Sequence, residues 1–410
     1  MKTVAAAIEF GTSKITTLIA ENSGYNRCDI IGSGTVPYAG YDGGVWNEPE
    51  KLREAVEASI HAAEVEAKRS VKEIYVGVPC ENIHVCTAVG QAEVAGEDHR
   101  ITDEDLDRVM DDAADQLHLD QMGGNVLHRS PAWFSVDGGK HTMRLVNSVG
   151  HTVSALVSFI VADPDFIDDV RFLLGQLGIT VNAFLSPTIG TATLLMSYEE
   201  RDKTPVLIDV GYLNTELSVI EGDAITYHAV LPEGGGDIAA ALAETLEIDM
   251  KEAEALKRDY IFKPDEFDAP GDPQVRFADG SVVTFPYDFV ANTVEHVTEQ
   301  LVQDIELTLR DAGDRISPRS QIYLTGGGLI NMRGGREYLA DRLGRGVKIP
   351  TLRAARLNNH RFSSSLGLMD LVFDSVEQQA AIEEERGGSK RGGIKNMFRK
   401  RTNAPMTENN

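Results

Sequence analysis

Cysteine is scarce. Cys28, Cys80 and Cys86 are the only three in 410 residues, and no two form a Cys-x-x-Cys pair. An odd number without paired spacing excludes a disulfide framework, and the three read as reduced thiols of a cytosolic protein. Long apolar runs are missing too. The apolar stretch at residues 3–8 falls short of the roughly 7–15 residues of a signal-peptide core. The longest charge-free stretch, residues 145–162, is broken by Asn147, Ser148, Gly150, His151, Thr152 and Ser154. Spanning a bilayer takes roughly 20 apolar residues, so this stretch reads as strands. Positive charge is also short, with 39 Lys+Arg against 64 Asp+Glu and a net charge of −25. A general nucleic-acid binder, which needs a basic surface, is thereby excluded. What remains is 42% hydrophobic, with 38 glycines and 15 prolines. That composition suits a globular protein of two or three domains at roughly 150 residues each.

Strand-like and helix-like segments alternate, which predicts an α/β fold. Residues 3–10 and 15–20 read as strands around the turn Gly11-Thr12-Ser13-Lys14. A helix with Asn47 as N-cap and Pro49 just inside runs to about residue 69, and 74–78 is a short buried strand. Residues 84–162 differ, with strands at 84–94, 125–136 and 152–162 and one helix opening at Thr102. This is a small α+β insertion. Helix is expected at 164–177 and 188–200 around a strand at 179–185. Strands follow at 205–210, 215–221 and 224–231, then helices at 236–246, 250–260 and 288–312 and a strand at 321–325. Val290, Val294, Val297, Leu301, Ile305 and Leu309 share one face of the long helix.

The two halves echo each other. Ile8-Glu9-Phe10-Gly11 matches Ile208-Asp209-Val210-Gly211, each a strand ending in a carboxylate, one residue, a glycine and another strand. The echo predicts a duplicated domain with a cleft between the halves. A tight turn after a strand offers backbone N–H groups to phosphate, and Gly11, Thr12, Ser13 and Lys14 add two hydroxyls and a cation. Glu9 and Asp209, facing each other, suit one Mg²⁺ held through water and phosphates. Either hairpin alone reads better as an ordinary solvent-facing turn; the pair favours a site. Gly326-Gly327-Gly328 lets backbone approach a base, or is a bare loop. Gly234-Gly235-Gly236 opens a helix whose N-terminus could face an anion. Glu254 and Lys257, at i,i+3, could clasp a ribose or form a surface ion pair.

In this order the segments resemble the nucleotide site of the actin, heat-shock chaperone and sugar-kinase superfamily, and within it the FtsA family of actin-like bacterial division proteins. The resemblance rests on Glu9-Phe10-Gly11-Thr12-Ser13-Lys14, Gly40-Tyr41-Asp42-Gly43-Gly44-Val45 and the stretch 101–109. It continues through Val126-Leu127-His128-Arg129-Ser130-Pro131, the stretch 136–138, Leu231-Pro232-Glu233-Gly234-Gly235-Gly236, Ala253-Glu254-Ala255-Leu256-Lys257 and Leu324-Thr325-Gly326-Gly327-Gly328. It implies a two-lobed fold with an FtsA-type insertion. The subdomains would be 1A (1–83 and 163–203, joined by 350–375), 1C (84–162), 2A (204–232 and 313–349) and 2B (233–312). It also implies ATP and Mg²⁺ as ligands, with Gly211, Asn214 and Thr215 in the second phosphate loop. Glu9 stands where the family pattern has Asp, and Tyr212 and Leu213 replace two glycines of that loop. The chain therefore reads as a divergent member that is at most a weak ATPase.

The end of the chain reverses sign. Residues 376–389 read as a linker. Lys390, Arg391, Lys395, Arg399, Lys400 and Arg401 then carry six positive charges with no acid between 387 and 401, and Ile394, Met397 and Phe398 fall on one helical stripe. A helix of this kind at 390–401 lies on an anionic membrane, and residues 402–410 read as a disordered end. The resemblance implies a peripheral protein on the cytoplasmic side of the membrane at the division site. Its expected partners are the FtsZ C-terminal peptide, further copies of itself, anionic lipid and other division proteins. The alternatives are a PilM-like pilus-assembly scaffold and a small-molecule kinase of the same superfamily.

Overall fold

The structure, a computed structural model, describes residues 3–22, 28–42, 44–119, 125–143, 145, 148–262, 271–277, 279–352 and 354–386. The first lobe begins with β1 (Thr3–Phe10), β2 (Lys14–Asn22), β3 (Cys28–Pro37), β4 (Tyr41–Asp42), β5 (Val45–Trp46), α1 (Pro49–Ala67) and β6 (Glu73–Gly77). An inserted unit follows: β7 (Ile83–Glu93), α2 (Asp103–Leu117), β8 (Val126–Val136) and β9 (Thr152–Ala162). The chain returns through α3 (Pro164–Gln176), β10 (Thr180–Leu185), α4 (Pro187–Leu195) and α5 (Tyr198–Arg201). The second lobe comprises β11 (Val206–Val210), β12 (Thr215–Glu221), β13 (Ala224–Leu231), α6 (Gly235–Leu246), α7 (Met250–Asp259), β14 (Gln274–Arg276), β15 (Val282–Thr284), α8 (Tyr287–Asp311), β16 (Ile322–Thr325), α9 (Gly335–Leu343) and β17 (Val347–Lys348). α10 (Ser363–Arg386) packs back on the first lobe.

The echo in the sequence is an echo in topology. One sheet runs β3-β2-β1-β6-β10 and the other β13-β12-β11-β16-β17, each an antiparallel meander followed by two parallel strands. Each lobe has its own apolar core, and the inserted sheet β7-β9-β8 closes a third under α2. Removing this surface from water is the main stabilising term.

Several elements differ from their expected form. α1 is capped at Glu48, one residue after Asn47. The helix expected at 188–200 is two, because Met196 is extended and the Ser197 hydroxyl and Glu200 carboxylate form a capping box that starts α5 afresh. Thr102 does cap α2: Asp105 receives its backbone N–H at 2.7 Å. Burial alone would raise the Asp105 carboxyl, but hydrogen bonds from Thr102, Ala95 and Arg108 hold it at about 2. Residues 376–386, expected as linker, continue the backbone of α10. Their Glu, Gln and Ala content is a strong helix-former composition, and a helix already nucleated propagates into it at little cost.

His128 couples the insertion to the first lobe. Its Nε2 accepts the backbone N–H of Ser186 at 2.9 Å, and burial pushes the imidazole down to about 3. The folded chain keeps this ring neutral while the unfolded chain protonates it below about 6.5. The contribution is therefore intact above pH 6.5 and is lost as pH falls. The loss amounts to about 2 kcal/mol by pH 5. Urea unfolding of the native protein against His128→Gln, which keeps an acceptor without titrating, is expected to show this difference opening between pH 7 and pH 5.

Candidate functional site

The two carboxylate hairpins are built alike. Gly11 N–H donates to Lys14 O at 3.0 Å and Gly211 N–H to Asn214 O at 2.9 Å, so each turn closes tightly after its acid. Glu9 lies opposite Thr16 and beside Gly77, whereas Asp209 lies opposite Glu216 and beside Thr325. Both acids line one cavity of about 730 Å³ between the lobes. Gly11, Thr12, Ser13, Lys14, Gly211, Asn214, Glu254, Lys257, Gly326, Gly327 and Gly328 line it as well.

One end of this cavity is acidic. Burial, then Glu216 and Glu9, push the Asp209 carboxyl up to about 8, with Lys14 opposing. Lys14 is itself pushed down by burial and donates to Arg361 O at 2.6 Å, its amine 4.3 Å from the Phe362 ring. Glu9 accepts the Ser365 hydroxyl at the start of α10. Glu216 accepts the Thr188 hydroxyl at 2.6 Å and pairs with His228 Nε2 at 3.0 Å. Glu81 accepts Asn214 Nδ2 at 2.6 Å and the Tyr41 hydroxyl. Cys80, beside it, stays a thiol because burial and Glu81 raise it well above its ordinary value. Sequence reasoning did not single out Glu81, Glu216 or Thr188. Glu216 carried a signal, since it directly follows Thr215 at the close of the second loop. Glu81 carried none, because its role depends on contact with the other lobe.

The remaining residues divide. Thr12 Oγ1 accepts the backbone N–H of Leu213 at 3.1 Å across the cleft. Glu254 and Lys257 are a pair at 2.6 Å, and the buried Lys257 amine also donates to Gly235 O at 2.6 Å. The surface ion pair expected as one reading is thus a largely buried tie between α7 and the start of α6. Gly326 has φ +85°, and a Cβ there would stand 2.3 Å from Asp209 Oδ1, so only glycine fits. Thr215 lies behind the wall and donates to Glu233 O at 2.8 Å. Gly234, Gly235 and Gly236 are also outside the lining. Gly235 N–H donates to Gly211 O at 2.9 Å and Gly236 N–H to Tyr212 O at 2.6 Å. Contrary to the expectation of an anion there, these N–H groups are spent on the second loop, and the glycines admit backbone instead of ligand. Among the described residues no group of three or more His, Cys, Asp or Glu is arranged to hold a metal ion, and no helix is long and apolar enough to cross a membrane. Lys390, Arg391, Ile394, Lys395, Met397, Phe398, Arg399, Lys400 and Arg401 lie outside the described residues.

The family model for Cell division protein FtsA matches residues 206–367. FtsA of Escherichia coli K12 is 23% identical over 254 residues, 62% of this chain and 60% of that protein. The chain thus spans about 60% of that relative in this alignment, but others run end to end. FtsA of Pseudomonas aeruginosa is 23% identical over 392 residues (93% of this chain, 92% of that protein), and FtsA of Neisseria meningitidis serogroup B is 22% identical over 413 (95% of each). Over more than nine-tenths of its length the chain is thus similar to FtsA proteins, at 22–23% identity. Solved structures bear out the fold. PilM–PilN of type IV pilus biogenesis aligns with a TM-score of 0.61 at 18% identity, covering 89% of this chain and 97% of that one. MreB5 of Spiroplasma citri bound to AMPPNP aligns at 0.55 and 11% (93% and 98%), and the MamK double helical filament at 0.51 and 13% (90% and 98%). The fold is actin-like, as the FtsA resemblance implied.

Proposed function

We propose that this chain is a nucleotide-binding, self-associating division adaptor that ties FtsZ filaments to the cytoplasmic face of the membrane through its basic C-terminal segment. The observation that carries the reading is the convergence of Glu9 and Asp209, from two hairpins of one design, on a single interlobe cavity in a relative of FtsA. Its volume is within the roughly 300–1,000 Å³ of small-molecule sites. ATP would take its adenosine against Gly326, Gly327 and Gly328 with Glu254 and Lys257, and its phosphates toward Gly11, Thr12, Ser13 and Lys14. The raised Asp209 carboxyl beside Glu9 and Glu216 suits a site whose charge balance a cation completes. Glu9 and Asp209 would hold Mg²⁺ through water, and the ion would supply neutralisation of phosphate charge. With Tyr212 and Leu213 in the second loop, turnover would be weak at most.

The inserted unit would contribute to contacts between copies, and the region near 230–310 would offer a surface to the FtsZ C-terminal peptide. Each basic residue of the tail contributes roughly 1 kcal/mol near an anionic surface. One copy therefore binds weakly, and self-association multiplies the attachment. Deletion of residues 387–410 is expected to abolish co-sedimentation with phosphatidylglycerol vesicles. Undiminished lipid binding would count against the adaptor and for a scaffold of the PilM kind, whose likeness in fold carries no function by itself.

A further inference from the structure

At the acidic end of the cavity the two phosphate turns are bonded to each other. Thr12 Oγ1 accepts Leu213 N–H at 3.1 Å, and Glu81 of the first lobe accepts Asn214 Nδ2 of the second at 2.6 Å. Leu213 also packs against the first lobe's core. Glu9, Glu81, Asp209 and Glu216 surround this end, while the Lys14 amine is engaged with Arg361 O. At the other end, around Gly327, Asn331 and Met332, Asn359 Nδ2 reaches Asn331 Oδ1 at the longer distance of 3.4 Å.

We propose that the Thr12–Leu213 and Glu81–Asn214 bonds form an interlobe latch that makes this cavity select a nucleoside diphosphate over a triphosphate. The inference rests on the nucleotide reading above. A phosphate chain lying along the first turn reaches further between the turns with each added group. The terminal phosphate must break both hydrogen bonds and displace Leu213 from apolar contact. A diphosphate avoids most of this. Glycine at position 213 would keep the N–H that Thr12 accepts but lose the side chain that packs on the first lobe's core.

Titration calorimetry on the full chain with ADP and with ATP, both in Mg²⁺, tests this. ADP is expected to bind at least tenfold more tightly. Glu81→Ala and Leu213→Gly, each checked for native circular dichroism, are expected to bring the ratio within about threefold by strengthening ATP binding. The native ratio stands as a test even where a variant fails to fold. ATP binding as tightly as ADP overturns the latch while leaving the nucleotide site intact. A preference for ADP that neither folded variant alters overturns the assignment to these residues. No heat with either nucleotide at millimolar concentration overturns the site and the latch together.

Discussion

Arg201→Ala is expected to lower the unfolding free energy by about 3–5 kcal/mol, the range for breaking a buried ion pair from one side. Arg201 is 2% exposed at the end of α5, where the chain passes between lobes. Its Nη2 pairs with Asp223 Oδ1 at 2.6 Å, Nε donates to Gly222 O at 3.0 Å and Nη1 to Met196 O at 2.8 Å. Alanine leaves Asp223 and two carbonyls without this donor, and each orphaned buried acceptor costs about 1–3 kcal/mol. The damage spreads, because the β12–β13 turn that Arg201 holds also supports the insertion: a Cβ on Gly222 would stand 2.1 Å from Met143 Cε. Arg201→Lys keeps the charge but not the three-way fork, and is expected to recover only some of the loss. Urea unfolding measures both. A loss under 1 kcal/mol for Arg201→Ala would show that other contacts hold the turn.

Asp209→Asn is expected to act in the opposite direction. The folded chain raises this carboxyl from 3.8 to about 8, through burial and then Glu216 and Glu9. At pH 7 the folded state keeps a proton that the unfolded state has released. Stability therefore falls as pH rises from about 4 to 8, by up to about 4 kcal/mol at pH 7. Asparagine has the same shape without the ionisation. The variant should melt at higher temperature than the native chain at pH 7.5, measured without nucleotide or divalent cation. The gap should close toward pH 4. The same replacement should abolish any rise in melting temperature produced by Mg²⁺ with nucleotide. A site that stores charge at the expense of stability gives this signature, whereas a merely structural carboxylate would be destabilised by the change.

The first hairpin and its echo were legible because an acid, one residue and a glycine after an apolar strand recur with the same order of strands around them. The alternation of elements likewise led to the correct fold class. β3 carried no expectation, and Gly32 and Gly34 are unusual in a strand interior. In the fold they are packing requirements: a Cβ on Gly34 would lie 1.9 Å from Ser59 O of α1, and one on Gly32 2.3 Å from Ala63 O. Glycine runs mislead in the same way at Gly234–Gly236, since a sequence cannot distinguish close approach to a ligand from close approach to another backbone. Glu81 was invisible for a different reason, as its partners Tyr41 and Asn214 are 40 and 133 residues away. The α4–α5 break turned on one capping box, at Ser197 and Glu200.

The course of α10 has a geometric corollary. Its first half is seated on α4 where Gly190 and Gly367 meet, a Cβ on Gly190 standing 2.2 Å from Gly367 O, so its heading is fixed by the first lobe. The eleven residues 376–386 prolong that heading as a rod of roughly 15 Å. Along such a rod each inserted or deleted residue changes the reach by only about 1.5 Å but swings the point of departure by about 100°. The side of the helix from which the chain leaves Arg386 is thus set by helical phase, and a two-residue insertion would move it to the opposite side while hardly lengthening the rod.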